Sequence, residues 1–129
     1  MKKFFLLLLA LISLSCKPQQ VSISAIEWKL VKLENTDVSS LNPPVTLLLD
    51  EQQKKISGFA GCNRFFGSYQ TENSSITFSG MGSTKMFCQD TMKVEDDYFK
   101  ALGTVQSYRR EGDKLFLLAG DRVVMEFKK

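Results

Sequence analysis

From Ile26 onward, apolar and polar residues alternate with a period of two through most of the chain. Ile26, Trp28 and Leu30 are separated by Glu27 and Lys29, the mark of a strand with one buried face. Asn42-Pro43-Pro44 punctuate a loop, after which Val45, Leu47 and Leu49 form a short strand that stops at Asp50-Glu51. Residues 55–60 read as its hairpin partner, and residues 66–71 and 75–79 as two further strands joined by Glu72-Asn73-Ser74. Residues 106–110, 114–118 and 123–127 predict a closing meander with turns at Glu111-Gly112-Asp113 and Ala119-Gly120-Asp121. In its last strand Val123, Met125 and Phe127 are expected to share one face.

One stretch changes period. Between Met92 and Leu102, Val94, Tyr98 and Leu102 recur every fourth residue with Ala101 beside them, the single apolar stripe of a helix. Asp90 is the expected N-cap, Glu95, Asp96 and Asp97 suit the positive end of the helix dipole, and Gly103 is the expected stop. The pattern therefore predicts a mainly β domain with one α-helix. Its sheet is antiparallel and barrel-like but partly open, with about seven or eight strands covered by that helix.

The first residues follow another plan. Lys2 and Lys3 precede an unbroken apolar run from Phe4 to Ile12, then Ser13-Leu14-Ser15 and Cys16, the three regions of a secretory leader. Nine apolar residues are too few to span a bilayer, which takes about 20. A cysteine straight after the small residue predicts a bacterial lipoprotein, its thiol linked to diacylglycerol and its new N-terminus acylated, for example with palmitate. Two or more chains give stable anchoring where one gives only marginal binding. The alternative is an ordinary cleaved leader with Cys16 as a spare thiol. The expected organisation is a leader at 1–15, a lipidated tether at 16–24 and one domain at 25–129.

Removing the leader from 129 residues leaves 114, enough for one core and too few for two. The 17 basic residues lose Lys2 and Lys3, so fifteen face 14 acidic residues, and the net charge falls near +1. No basic stripe remains for nucleic acid, Arg109-Arg110 and Lys128-Lys129 read as solvated strand ends, and a monomer is expected. With Cys16 lipidated, Cys62 and Cys88 remain. An even number in an exported chain points to a disulfide, and two buried free thiols are the alternative.

The chain has no histidine, which removes the usual general base and the commonest metal ligand. Neither a Ser-His-Asp nor a Cys-His arrangement can be built, and no metal site, cofactor or catalytic residue is expected. Asp50-Glu51 and Asp96-Asp97 are explained by a turn and a helix start. Asp90-Thr91-Met92 matches a short O-glycosylation motif, with a plain helix start as the alternative reading. The densest unusual segment is Gly58-Phe59-Ala60-Gly61-Cys62-Asn63-Arg64-Phe65-Phe66-Gly67-Ser68-Tyr69. Gly61 and Asn63 tolerate left-handed backbone, so a tight bend between strands is expected. Asn63, Arg64, Phe65 and Phe66 form a candidate binding loop, with a barrel corner stapled by Cys62 as the alternative.

Trp28 with Leu30, Pro43-Pro44-Val45-Thr46-Leu47 and Gly61-Cys62-Asn63-Arg64-Phe65-Phe66-Gly67-Ser68-Tyr69 resemble the META/HslJ family of small bacterial envelope domains. Gly82-Ser83-Thr84-Lys85-Met86-Phe87-Cys88, the helix from Glu95 to Leu102 and the hairpin from Leu115 to Phe127 extend the resemblance. It implies a compact antiparallel β fold with one helix, in an outer-membrane or periplasmic setting with links to heat shock, antibiotic tolerance or motility. It supplies no catalytic residues. The expected function is a non-enzymatic envelope lipoprotein that supports or binds another envelope protein or a hydrophobic ligand. The alternatives are a small inhibitor or protective module acting on hydrolases, and an acyl- or peptide-binding module like the pilotins of secretion systems, the last by fold analogy.

Overall fold

The computed structural model describes residues 14–16 and 21–129. Of the expected leader only Leu14 and Ser15 fall among them, and residues 17–20 of the expected tether lie outside them. The described residues hold nine strands and one helix. They are β1 (Trp28–Leu33), β2 (Thr36–Asp37), β3 (Thr46–Asp50), β4 (Lys55–Phe59), β5 (Arg64–Glu72), β6 (Ser75–Ser83), α1 (Met92–Leu102), β7 (Ser107–Glu111), β8 (Lys114–Ala119) and β9 (Arg122–Lys128). The sheet is antiparallel in the order β2-β1-β3-β4-β5-β6-β7-β8-β9, and β1 also pairs with β9, which turns it into a ring. The expected strands and the helix are all present. The ninth strand, β2, is a two-residue return on β1 after Glu34 (φ 52°), too short to show alternation.

Inside the ring, alternate residues of each strand meet: Trp28, Leu30, Leu47, Leu49, Ile56, Phe65, Tyr69, Ile76, Leu115, Leu117 and Phe127 are all buried. Each contributes about 1.5–3 kcal/mol of burial free energy before entropy is counted. The expected face of the last strand needs a correction. Leu117 pairs with Met125 and Leu118 with Val123, so Val124 is an extra residue in β9. That bulge turns Val124 inward beside Met125 and leaves Val123 exposed, because one inserted residue inverts every later side chain.

The ring is narrowly joined at one seam. β6 and β7 share a single residue pair, Ser75 with Ser107, flanked by bonds from Ile76 N–H to the Gln106 carbonyl (3.0 Å) and from Tyr108 N–H to the Ser74 carbonyl (2.9 Å). Below it, residues 21–25 close over the core. Ile23 is buried, its carbonyl accepts the Trp28 indole N–H at 2.9 Å, and Ala25 N–H donates to the Leu49 carbonyl at 3.1 Å. The Arg110 guanidinium donates to the Ser22 carbonyl and lies 5.4 Å from the Trp28 ring, while Arg109 lies 4.7 Å from that of Phe116. Arg110, expected as a solvated strand end, instead lays its cationic head on an aromatic face, whereas Arg109 stays exposed as expected and also pairs with Glu111 at 2.7 Å.

α1 has the expected bounds, Met92–Leu102, but its N-cap differs. Thr91, not Asp90, is the N-cap, and no side chain caps the first turn. Gly103 keeps right-handed angles (φ −66°), and the Thr104 hydroxyl donates to the Ala101 carbonyl at 2.7 Å, which occupies an acceptor of the last turn. The helix delivers Tyr98 to the core, where burial holds its phenol far above its ordinary value. Its hydroxyl donates to the Thr46 carbonyl at 3.3 Å.

Gly58 makes room for that carbonyl. A Cβ on Gly58 would stand 2.2 Å from the Thr46 oxygen, against backbone that cannot swing away. Gly58→Ala should therefore destabilise the domain by roughly 2–4 kcal/mol in urea unfolding. Gly103→Ala, whose Cβ meets nothing nearer than 3.5 Å, should change stability by less than about 1 kcal/mol. Equal midpoints for the two variants would contradict this packing.

Candidate functional site

The segment from Gly58 to Tyr69 turns the chain from β4 into β5, and the turn is bound from behind by the start of α1. Gly61 takes the left-handed backbone (φ 114°) that its lack of a side chain permits. Asn63 does not; it is 2% exposed and points inward, where it meets Glu95, 3% exposed, on the helix. One Glu95 carboxyl oxygen accepts the backbone N–H groups of Cys62 (3.0 Å) and Asn63 (2.6 Å), and the other accepts the Asn63 side-chain amide (2.7 Å). The Asn63 oxygen accepts the Met86 N–H at 2.7 Å and the Thr84 hydroxyl at 2.8 Å, while its amide also donates to the Met86 carbonyl at 3.1 Å. Two buried side chains thus tie together the corner, the segment after β6 and the helix.

A covalent bond ties the same segments. Cys62 and Cys88 form a disulfide across 26 residues, with Cα atoms 5.7 Å apart. Residues 84–88 therefore run as a strap across the corner, pinned at Thr84, Met86 and Cys88. The strap turns its apolar side chains outward: Met86 is 61% and Phe87 is 81% exposed.

Of the candidate binding loop, the structure leaves two side chains on the surface and takes two inside. Phe65 is buried with its ring edge-on to Tyr98 (5.5 Å between centroids) and Phe99 (5.7 Å). Arg64 and Phe66 point outward, Phe66 with its ring over Gly82. Arg64 stands on the wall of an open groove of about 610 Å³ with Pro43, Pro44, Phe59 and Met86, and with Glu27 at its margin. This volume is in the range of small-molecule and peptide-side-chain sites. The groove exists because β3 and β4 stop pairing after Leu48–Ser57, where Phe59 N–H donates instead to the Thr46 hydroxyl at 3.0 Å. Sequence reading missed the contributions of Pro43, Pro44 and Phe59; the proline pair was the one signal that a wall of fixed shape stood there.

The carboxylates read as structural keep structural partners. Asp50 accepts the Gln52 and Gln53 N–H groups in its turn, and Asp97 pairs with Lys93 at 2.6 Å. Glu95 is more than helix-start charge, since it is the acceptor at the centre of the corner. Among the described residues no group of three or more Asp, Glu or Cys side chains converges to hold a metal ion. The Thr91 hydroxyl, in the glycosylation-like triplet, is buried and lacks a hydrogen-bond partner, which keeps it from a transferase acting on the folded domain. Cys16 is exposed and outside the disulfide.

A family profile described as META domain matches residues 21–129. An NMR structure of a protein from Burkholderia xenovorans superposes with TM-score 0.65 at 22% identity, covering 87% of this chain and 95% of that one. A second NMR structure gives TM-score 0.62 at 22% identity, with 79% and 86% covered. A crystal structure of a DUF4847 family protein from Bacteroides vulgatus gives 0.53 at 14% identity, with 65% and 57% covered. At these identities the likeness is one of fold. No curated protein matches the chain.

Glu95→Ala would strand three N–H donors in a dry corner, and a buried donor without a partner costs about 1–3 kcal/mol. The expected loss is about 3 kcal/mol or more in urea unfolding, with faster amide exchange at Met86. Glu95→Gln, which keeps one accepting oxygen, should lose less. A Glu95→Ala midpoint no lower than that of the exposed Asp96→Ala would rule out this role. Cys62→Ala/Cys88→Ala should lower stability by roughly 3–4 kcal/mol through the added freedom of the unfolded chain.

Proposed function

The chain belongs to the META domain family, and from that premise we propose that it is a non-enzymatic, lipid-anchored domain of the bacterial cell envelope that binds or supports another envelope component. The observation that carries the reading is Cys16. It follows an apolar leader and small residues, it is exposed, and it stands apart from the one disulfide. The bridge between Cys62 and Cys88 suits an oxidising compartment outside the cytosol, where such bonds persist. A thiol carrying two acyl chains, with a third on the amine, would hold the domain at a membrane surface without any spanning segment.

Binding is assigned to the groove beside the strap. Pro43, Pro44, Phe59 and Met86 offer apolar walls and Arg64 a cation at the rim, while the disulfide and the Glu95–Asn63 network keep the wall from collapsing. Exposed Met86 and Phe87 beside it are of the residue types that make adaptable or high-area contacts at interfaces.

The test has two parts. Cells fed an alkyne-tagged palmitate should label the native chain and not Cys16→Ser, which should move from the membrane fraction to the soluble one. Equal labelling of the two, or a native chain found in the cytosol with residues 1–15 attached, would refute the anchor. For binding, proximity crosslinking from Phe87 in intact envelopes should capture a partner that Met86→Asp/Arg64→Glu loses; a capture pattern unchanged by that double substitution would remove the groove from the proposal.

A further inference from the structure

At the narrow seam the outer side of β6 is almost entirely unpaired, and it is the longer of the two strands that face the gap. β5 holds its inner side from Ser75 to Ser83, whereas β7 meets it only at Ser75. The direction of the free groups follows from the alternation of an antiparallel ladder. Ile76 N–H points away from β5, since it donates to the Gln106 carbonyl at 3.0 Å. Phe78, two residues on, therefore presents its N–H and carbonyl to the same outer side. The opposite residue agrees: Tyr69 pairs with Phe78 yet sends its N–H the other way, to the Lys54 carbonyl at 3.0 Å. Beyond Phe78 the edge continues through Ser79, Gly80 and Met81, all exposed.

Proteins blunt open edges with charges, prolines, bulges or covering segments. β6, Ser-Ile-Thr-Phe-Ser-Gly-Met-Gly-Ser, has neither charge nor proline along its nine residues. A bulge opposite Gly67 is its one interruption. Next to the edge the outer sheet face shows exposed Phe66, Met81 and Leu48, and the hollow over Phe66 and Leu48 is lined also by Gly80 and by the charged pair Asp50 and Lys55. Unpaired backbone donors and acceptors beside exposed apolar side chains specify one kind of occupant. It is an extended polypeptide whose main chain completes the ladder and whose alternate side chains are apolar.

We infer that the β6 edge from Thr77 to Ser83 is a strand-addition site for an extended, uncharged segment of a partner protein with apolar residues at every second position. This names the chemistry of the partner in the proposed function, and it rests on the binding half of that reading, not on the lipid anchor.

The experiment uses the purified native chain, as it is isolated from cells, and two fluorescent, end-blocked nonapeptides. One alternates Thr and Val, and the other is the same with its central residue replaced by Pro. The alternating peptide should bind with at least tenfold higher affinity than the proline-interrupted one, with protein-free buffer as the baseline. Hydrogen exchange at the Phe78 and Gly80 amides should be fast in the free protein and slow at least tenfold in the complex. Ser79→Lys/Met81→Lys, on exposed positions, should weaken the alternating peptide about tenfold without moving the unfolding midpoint. No binding up to millimolar peptide, equal affinity for the two peptides, amides of Phe78 and Gly80 already protected in the free protein, or protection confined to residues 42–46 and 84–88 would each overturn the inference. If the peptide arm fails while Phe87 crosslinking still depends on Arg64 and Met86, the proposed function stands and the strand-addition site falls.

Discussion

A carboxyl group buried to 3% exposure is tolerable only if its oxygens are saturated with donors, and the arrangement of this domain follows from that demand at Glu95. Three N–H groups meet it, two from the backbone at Cys62 and Asn63 and one from the Asn63 side chain. To collect them the first turn of α1 must press against the corner where β4 becomes β5. Once Asn63 is held there, its remaining oxygen and amide fix the chain at Thr84 and Met86. One satisfied acid thus sets the position of a helix, a turn and a strap far apart in sequence. The disulfide between the same segments acts differently, since its main effect is to restrict the unfolded chain. Hydrogen bonds choose the geometry and the bridge makes departure from it rarer.

The ring itself is unevenly closed. β1 is paired on both sides, to β3 and to β9, whereas β6 and β7 touch at one residue pair. The helix lies between β6 and β7 in the chain, and that order explains the weak seam. Between Ser83 and Ser107 the chain crosses the corner and forms eleven helical residues. It re-enters at Ser107, beside the beginning of β6, so the rest of β6 is left without a neighbour.

Much of this was legible in the chain beforehand. The helix bounds, Met92 to Leu102, follow from Val94, Tyr98 and Leu102, because a stripe of period near four needs no knowledge of what it packs against. The strands follow likewise from alternation. Val123 misled because a bulge is created by the pairing partner and leaves no mark on the alternation of its own strand. Asn63 and Glu95 misled for a related reason. Asparagine near glycine reads as a turn former and glutamate early in a helix as surface charge, and both readings assume local partners. Here the partners lie 32 residues apart and are brought together by the fold. Arg110 is a third case, a charge whose place over Trp28 depends on the closure of the ring.

The short arm before β1 gives the domain a particular response to load. Any tension entering from upstream of Val21 reaches the Ser22 carbonyl held by Arg110 and the Ile23 carbonyl held by Trp28 before it reaches the sheet. These attachments, and the Ala25 N–H bond to the Leu49 carbonyl behind them, lie one after another along the chain. Past them the pull meets β1, which is paired on both sides, to β3 and to β9. Residues 21–27 therefore act as a mechanical fuse, lengthening under a tug while the ring they hang from keeps its shape.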